Sequence, residues 1–327
     1  MDAARRQSVK RMLVWTALAG LALAGTGLGM QALERHVLHG IQQRPVPVAR
    51  IVLIEPPHRL DAAPEPPGWM PASVLRRIEA ALLPPEANFN DPALTAQVYA
   101  LARTQPSIRK VLRVSRRVLE GAAGGVVDVQ AELRQPIAQA RHGAGAAQYV
   151  DAEGVVIPAD EVAKWVAVTV NSRGETCRQA YYQDFRQAPE GSRVSRLHYI
   201  LVQGLAAQAP GPGQTWPGQD IRDGLESVRL ILPRPYAREI VAVDVSNHAK
   251  RRDRLTPEIT WLAQVGDGPV TEIRFGRFPL PGGGDWVVSL DRRMDHLDQY
   301  VADHHGTLAG LNKFIDLRYD KLSFSLQ

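Results

Sequence analysis

The sequence predicts an α+β protein with one transmembrane helix, a small domain of the order strand, helix, helix, strand, strand, and a β-rich C-terminal domain. Three observations predict this class. Residues 12–33 carry no charged side chain, residues 48–131 alternate between strand-like and helix-like hydrophobic patterns, and the last third of the chain holds short runs with β-branched residues. The chain of 327 residues is long enough for two domains with separate hydrophobic cores.

The uncharged run has about the length that a helix rising ~1.5 Å per residue needs to cross a ~30 Å hydrocarbon core. Four basic residues precede it within residues 1–11. Because positive charge collects on the cytoplasmic side of a span, this asymmetry predicts a cytoplasmic N-terminus. The resulting prediction is a single-pass protein of the inner (plasma) membrane, with its bulk outside the cytoplasm. Its parts are a cytoplasmic tail at 1–11, the helix at 12–33 and a connector at 34–47.

A cleaved signal peptide is the alternative interpretation of the same run. Ala22, Leu23 and Ala24 form a small-x-small cleavage site after a basic start and an apolar stretch. The uncharged run continues to Leu33, which is longer than a signal peptide requires. This extra length favours an uncleaved anchor.

Charge and cysteine usage limit the classes of function. The net charge of +5 falls to +2 once residues 1–11, with four basic residues and one acidic residue, are set aside. A nearly neutral remainder gives no electrostatic basis for binding nucleic acid. Cys177 is the single cysteine, so the chain cannot form an internal disulfide.

The small domain is predicted from five segments. Residues 48–54 have strand composition, Pro71 opens a helix, and Asp91 is the expected N-cap of a second helix. Residues 108–114 and 126–131 are strand-like. The apolar residues of the two helices fall at helical spacing and should face the strands: Val74, Leu75, Ile78, Leu82, Leu94, Val98 and Leu101.

Three short motifs lie in this domain and just after it. They read Pro-Ser-Ile-Arg-Lys-Val at 106–111, Arg-Gln-Pro-Ile-Ala at 134–138 and Tyr-Val-Asp-Ala-Glu-Gly-Val-Val at 149–156. In this order, after one uncharged run, they resemble the POTRA domain and the following hairpin of the FtsQ/DivIB family of bacterial cell-division proteins. The resemblance implies a POTRA-like domain over residues 48–138.

The C-terminal part, residues 139–327, is predicted as a β-domain. Residues 158–196 exceed the family pattern and are interpreted as an insertion. From residue 221 onward the chain predicts strands, followed by one helix on which Leu290, Met294, Leu297 and Val301 share a face. The Ile-Asp-Leu-Arg-Tyr run at 315–319 resembles the closing strand of the FtsQ/DivIB β-domain.

The resemblance implies a non-catalytic divisome scaffold that recruits and links membrane division proteins at the septum through its extracytoplasmic domains. The implied partners are the small coiled-coil membrane proteins FtsB and FtsL and other division proteins. The closing strand should be an edge strand that accepts a partner strand. The implied contact residues are Arg318, Tyr319, Asp320, Lys321, Leu322 and Phe324. The alternative for Tyr319 is a place in the β-domain core beside Leu317.

Metal binding is the one further chemistry that the sequence suggests, through five residues near the C-terminus. Because no convincing further ligands come from other elements, a solvated helix end is favoured, and neither metal nor cofactor is predicted. The five are His296, Asp298, Asp303, His304 and His305. The alternative functions are a cell-envelope enzyme, which would need a converging polar cluster, and a POTRA-bearing translocation or assembly protein.

Overall fold

The protein is described here by a computed structural model, and its strands form three sheets of three, nine and three strands among the described residues. The described residues are 25–26, 28–37, 46–54, 69–118, 124–170, 176–278, 288–310 and 312–326.

The first sheet and two helices make a unit with the element order that the sequence predicts. The elements are β1 (Val48–Ile54), α1 (Ala72–Ala81), α2 (Leu94–Thr104), β2 (Ile108–Val118) and β3 (Gly125–Leu133). Strand β3 lies in the middle, parallel to β1 and antiparallel to β2. All three predicted strands of this unit are therefore present, with β2 longer than expected.

The apolar stripes of α1 and α2 face this sheet. Val74 and Ile78 of α1 and Leu94 and Val98 of α2 are buried in one cluster with β-strand residues. Helix α2 begins two residues later than predicted, because Asp91 stabilises a preceding turn: its Oδ1 accepts the Ala93 N–H at 2.8 Å.

The rest of the chain supplies the other two sheets and two further helices. In order, it forms β4 (Pro136–Arg141), β5 (Gln148–Asp151), β6 (Val156–Ile157), β7 (Trp165–Val170), β8 (Thr176–Tyr182), β9 (Arg193–Arg196), β10 (Ile200–Gln203), α3 (Gln219–Ile231), β11 (Ile240–Asp244), β12 (Ile259–Ala263), β13 (Thr271–Gly276), α4 (Leu290–Asp303), β14 (Asn312–Asp316) and β15 (Ser323–Leu326).

The nine-stranded sheet has the order β15-β14-β13-β12-β11-β10-β4-β5-β6. Strand β10 runs parallel to both of its neighbours, β4 and β11. The inserted residues form their own sheet, in the order β8-β7-β9. Residues 136–138, assigned from the sequence to the first domain, lie in β4 of the large sheet.

Helix α3 corrects the prediction that the chain consists of strands from residue 221 onward. Ile221, Leu225 and Val228 are buried in the large core at helical spacing. Gly224 allows the close approach to the sheet, because a Cβ there would lie 2.5 Å from Cγ1 of Val202 in β10. The predicted helix near the C-terminus is present as α4, and its Ser289 N-cap accepts the Arg292 N–H at 3.3 Å.

Side-chain contacts join the first unit to the large sheet. Ser107, at the start of β2, donates a hydrogen bond to the carboxylate of Glu161, and both side chains are buried. Burial raises the pKa of Glu161 above its ordinary value. Arg134, between β3 and β4, forms an ion pair with Asp151 of β5 at 2.6 Å. These contacts fix the two units to one another at the β3–β4 connection.

The predicted transmembrane helix and the localisation derived from it require correction. Residues 12–24 and 27 lie outside the described residues. The described residues 28–37 are helical, but they include Glu34 and Arg35. No helix in the described part of the chain combines the length and apolar character needed to cross a bilayer. The observed class is mixed α and β with a large β-sheet content, and a single-pass inner-membrane protein is not supported.

Replacing Ile78 by aspartate tests the packing of α1. Ile78 is 2 % exposed, so Ile78→Asp buries a carboxylate without a partner and should lower the free energy of unfolding by about 3 kcal/mol or more. Urea titration of the full chain measures this loss. Ser73→Asp, at an exposed position of the same helix, is the control and should change stability by about 0.5 kcal/mol or less. Equal effects of the two variants would contradict the assignment of the buried face.

Candidate functional site

Strand β15 is the outermost strand at one end of the nine-stranded sheet. It pairs antiparallel with β14, with Phe324 opposite Ile315 and Ser323 opposite Asp316. No described strand pairs with its outer side. The last described strand is thus an edge strand, as predicted, whereas the run at 315–319 that resembles the family's closing strand begins in β14, an interior strand. An edge of this kind offers backbone N–H and C=O groups to an added strand.

The opposite end of the same sheet is closed by a loop. Strand β6 is only two residues long, and both backbone groups of Val156 bond to the loop at residues 213–214. Its N–H donates to the Gln214 carbonyl at 3.0 Å, and its carbonyl accepts the Gly213 N–H at 2.8 Å. Val155 also forms a β-bridge with Thr215. The two ends of the sheet thus differ, since the β6 end has an intramolecular partner for its backbone.

The turn that leads into β15 is held by Asp316. Its Oδ1 accepts the Arg318 backbone N–H at 3.1 Å and Nε at 2.9 Å, and its Oδ2 accepts the second guanidinium nitrogen at 2.7 Å. Hydrogen bonding to this carboxylate raises the pKa of Arg318. Arg318 also donates to the Leu255 carbonyl at 3.3 Å. Arg318, predicted as a partner contact, is therefore already engaged within the chain.

Gly276, at the end of β13, makes room for Arg318. Its φ of +92° is in the region that favours glycine, and a Cβ there would lie 2.9 Å from Cγ of Arg318. The roles of Gly276 and Asp316 were not predicted from the sequence. The Asp-x-Arg spacing of 316–318 was the available signal, but it does not indicate that the two side chains bond to each other.

The residues that follow Arg318 are directed to solvent. Tyr319 is 58 % exposed, whereas Leu317 is fully buried, so the alternative that Tyr319 completes the core is wrong. Lys321 is exposed, and Asp320 lies 3.6 Å from Arg292 of α4 in a solvent-exposed ion pair. An exposed pair of this kind adds little stability. Tyr319 and its two charged neighbours are thus available at the surface.

Phe324 gives the edge strand an apolar contact of its own. It is 47 % exposed, and its ring packs edge-on against Tyr300 and His304 of the α4 end, with ring centroids 5.9 and 6.2 Å away. Tyr300 and His304 stack on each other with centroids 4.0 Å apart. Leu322, the remaining predicted contact residue, packs partly buried against the large core. The edge therefore carries an aromatic cluster that the sequence did not reveal.

Three of the five residues considered as metal ligands have other contacts. Asp298 accepts a hydrogen bond from the Tyr236 hydroxyl at 2.7 Å, and Asp303 accepts one from the Gln299 amide at 2.8 Å. His304 donates from Nδ1 to the Tyr300 carbonyl at 2.7 Å. Among the described residues, no three or more His, Cys, Asp or Glu side chains are arranged to hold a metal ion.

The chain matches no protein-family model, and it matches no curated protein. The resemblance to the FtsQ/DivIB family therefore depends on the sequence motifs given above, and the function and partners that it implies are proposals.

A substitution at Gly276 tests how the β14–β15 turn is held. Gly276→Ala should destabilise by about 2–4 kcal/mol, because it adds both backbone strain and a clash with Arg318. The control is Gly310→Ala, which has a similar φ of +83° but nothing within 4 Å of the added Cβ. It should cost about 1–2 kcal/mol from strain alone.

Thermal and urea unfolding of the double variant Gly276→Ala/Arg318→Ala completes the test. Once the Arg318 side chain is removed, the loss of unfolding free energy caused by Gly276→Ala should fall to that caused by Gly310→Ala. An undiminished cost would show that Arg318 is not the group that Gly276 accommodates.

Proposed function

We propose that the chain is a non-catalytic scaffold that binds an extended segment of a partner protein at the β15 edge. The observation that carries this proposal is the difference between the ends of the nine-stranded sheet. A loop pairs with β6, whereas no described strand pairs with the outer side of β15. A strand that adds to an open edge gains main-chain hydrogen bonds along its length.

The side chains around β15 support strand addition at this edge. Tyr319 and Phe324 supply exposed aromatic surface, the kind of side chain that most often anchors a protein interface. Phe324 and its Tyr300–His304 support lie on the helix side of the sheet, because Phe324 pairs with the buried Ile315. Ser323 and Ser325 project from the other face. We therefore expect the partner segment to place an apolar residue beside Phe324 and to tolerate polar residues on the serine side.

The Asp316–Arg318 network supports the proposal in a second way. Because the turn before β15 is fixed by three hydrogen bonds from Arg318 to one buried carboxylate, the edge is ordered before any partner arrives. Binding then carries a smaller entropic cost for ordering the scaffold. In this proposal Arg318 positions the edge, and Tyr319 and Phe324 contact the partner.

The identity of the partner follows from the family resemblance. We propose that the segment belongs to a small coiled-coil division protein like FtsB or FtsL, and that the scaffold links it to other proteins of the division machinery. The proposal assigns no catalytic role to any residue of the chain.

Loss of the tyrosine ring tests the contact. Tyr319→Ala should weaken binding of the FtsB-like protein of the same organism by about thirtyfold, because truncating an aromatic anchor often costs upward of ~2 kcal/mol. The melting temperature should stay unchanged, since the ring is 58 % exposed. Isothermal titration calorimetry with the purified partner segment measures affinity, and thermal unfolding measures stability.

Tyr99→Ala is the matched control, because Tyr99 is a 40 % exposed tyrosine on α2 of the other unit. It should leave affinity unchanged. Binding that survives both Tyr319→Ala and Phe324→Ala at wild-type strength would rule out the β15 edge as the site. If the protein recovered by co-purification binds at β15 but is unrelated to cell division, the edge remains the binding site and the partner assignment is overturned.

A further inference from the structure

A cavity of about 240 Å³ lies where the inserted sheet meets the large sheet, far along the strand order from β15. Its walls come from β4, β5 and the two ends of the insertion. The side chains that matter here are Gln139, Tyr149, Lys164, Arg196, His198 and Tyr199. Two are permanent cations, and no carboxylate lines the cavity. We propose that this cavity is a binding site for a small oxyanion, a phosphate or a carboxylate.

Strand pairing brings Lys164 and Arg196 to the same end of the inserted sheet. Arg196, the last residue of β9, lies opposite Trp165, the first residue of β7. Lys164 directly precedes β7, and its carbonyl accepts the Leu197 N–H at 2.9 Å. Lys164 therefore lies opposite Leu197, one position from the Arg196–Trp165 pair, and both cations line the cavity at this end of the inserted sheet.

Neither cation is neutralised within the described part of the chain. Both side chains are exposed, and neither forms an ion pair or a side-chain hydrogen bond with a described residue. Other arginines of the molecule differ in this respect: Arg318 is held by Asp316 and Arg134 by Asp151. Two cations beside one cavity repel each other, and an anion bound between them is attracted to both and offsets this repulsion.

The remaining walls are well fixed. Tyr149 is 6 % exposed and meets Tyr199 edge to face, with ring centroids 5.1 Å apart. The Tyr199 hydroxyl donates to the Ala163 carbonyl at 3.2 Å. Burial raises the pKa of Tyr199, so this phenol stays uncharged. His198 donates from Nε2 to the Ile240 carbonyl at 2.8 Å, which fixes its ring at the cavity wall.

The cavity is large enough for a small oxyanion. Water occupies about 30 Å³ per molecule in the liquid, so the cavity has room for an oxyanion with a few further atoms. Arginine binds the paired oxygens of phosphate or carboxylate, and lysine adds a point charge. The amide of Gln139, from β4, can donate a further hydrogen bond.

The test is a titration of the full chain with two probes, followed by NMR or calorimetry. Inorganic phosphate represents a free ion, and N-acetyl-glutamate amide represents the carboxylate of a peptide. We expect saturable binding of at least one probe with a dissociation constant in the millimolar range or below. The stronger probe identifies which source of oxyanion the cavity prefers.

Lys164→Ala and Arg196→Ala should each weaken binding by about tenfold, because each removes a charge-assisted contact. Arg193→Ala is the matched control: Arg193 lies on the same strand β9 and is equally an exposed cation, but it does not line the cavity. It should leave binding unchanged. Binding of the β15 partner should be unaffected by all three variants.

The proposal is overturned if neither probe shows saturable binding. It is also overturned if Arg193→Ala weakens binding as much as Arg196→Ala, because the effect would then reflect the general charge of β9. Thermal unfolding of each variant checks that the fold is retained, which we expect because all three side chains are exposed.

Discussion

The two outermost strands of a sheet have backbone N–H and C=O groups that need hydrogen-bond partners, from the protein or from water. This requirement shapes the larger part of the molecule. The nine-stranded sheet meets it differently at each end. At β6, the segment around Gly213 and Gln214 lies along the edge and bonds to both the N–H and the carbonyl of Val156. At β15, the described residues supply no such cover. The described chain thus covers one edge of the sheet with its own loop, and our proposal assigns partner binding to the other edge.

An open edge is useful only when its position is fixed. Gly276 and Asp316 together set the position of Arg318, one by leaving space for its stem and the other by accepting its guanidinium. This arrangement lies between the buried sheet, which ends at Leu317, and the exposed residue Tyr319. The chain therefore passes from the buried Leu317 to the exposed Tyr319 through one residue, Arg318, whose position is fixed. In the function that we propose, this order means that the edge strand does not need to fold on binding.

Local patterns in the sequence predicted the elements whose signals agree, and they failed where two signals conflict. Helices α1 and α4 have apolar residues at helical spacing and recognisable starts, so both were predicted. Helix α3 has the same spacing, but Gly224 and its β-branched residues indicate a strand or a turn when they are considered alone. Only the structure shows that Gly224 is needed for contact with Val202. The prediction of a spanning helix at 12–33 depended on length and flanking charge alone, and no described helix has the length and apolar character to cross a bilayer.

The site was harder to predict than the fold, because consecutive residues have opposite roles. Sequence resemblance treats Arg318 and Tyr319 as one contact surface, yet one is bound within the chain and the other is exposed. Side chains far apart in sequence decide this difference, and no local pattern contains them. The inserted sheet illustrates the same point: Lys164 and Arg196 are separated by the whole of β8, yet both line one cavity because β7 pairs with β9. Contacts between distant residues therefore determine both proposed sites.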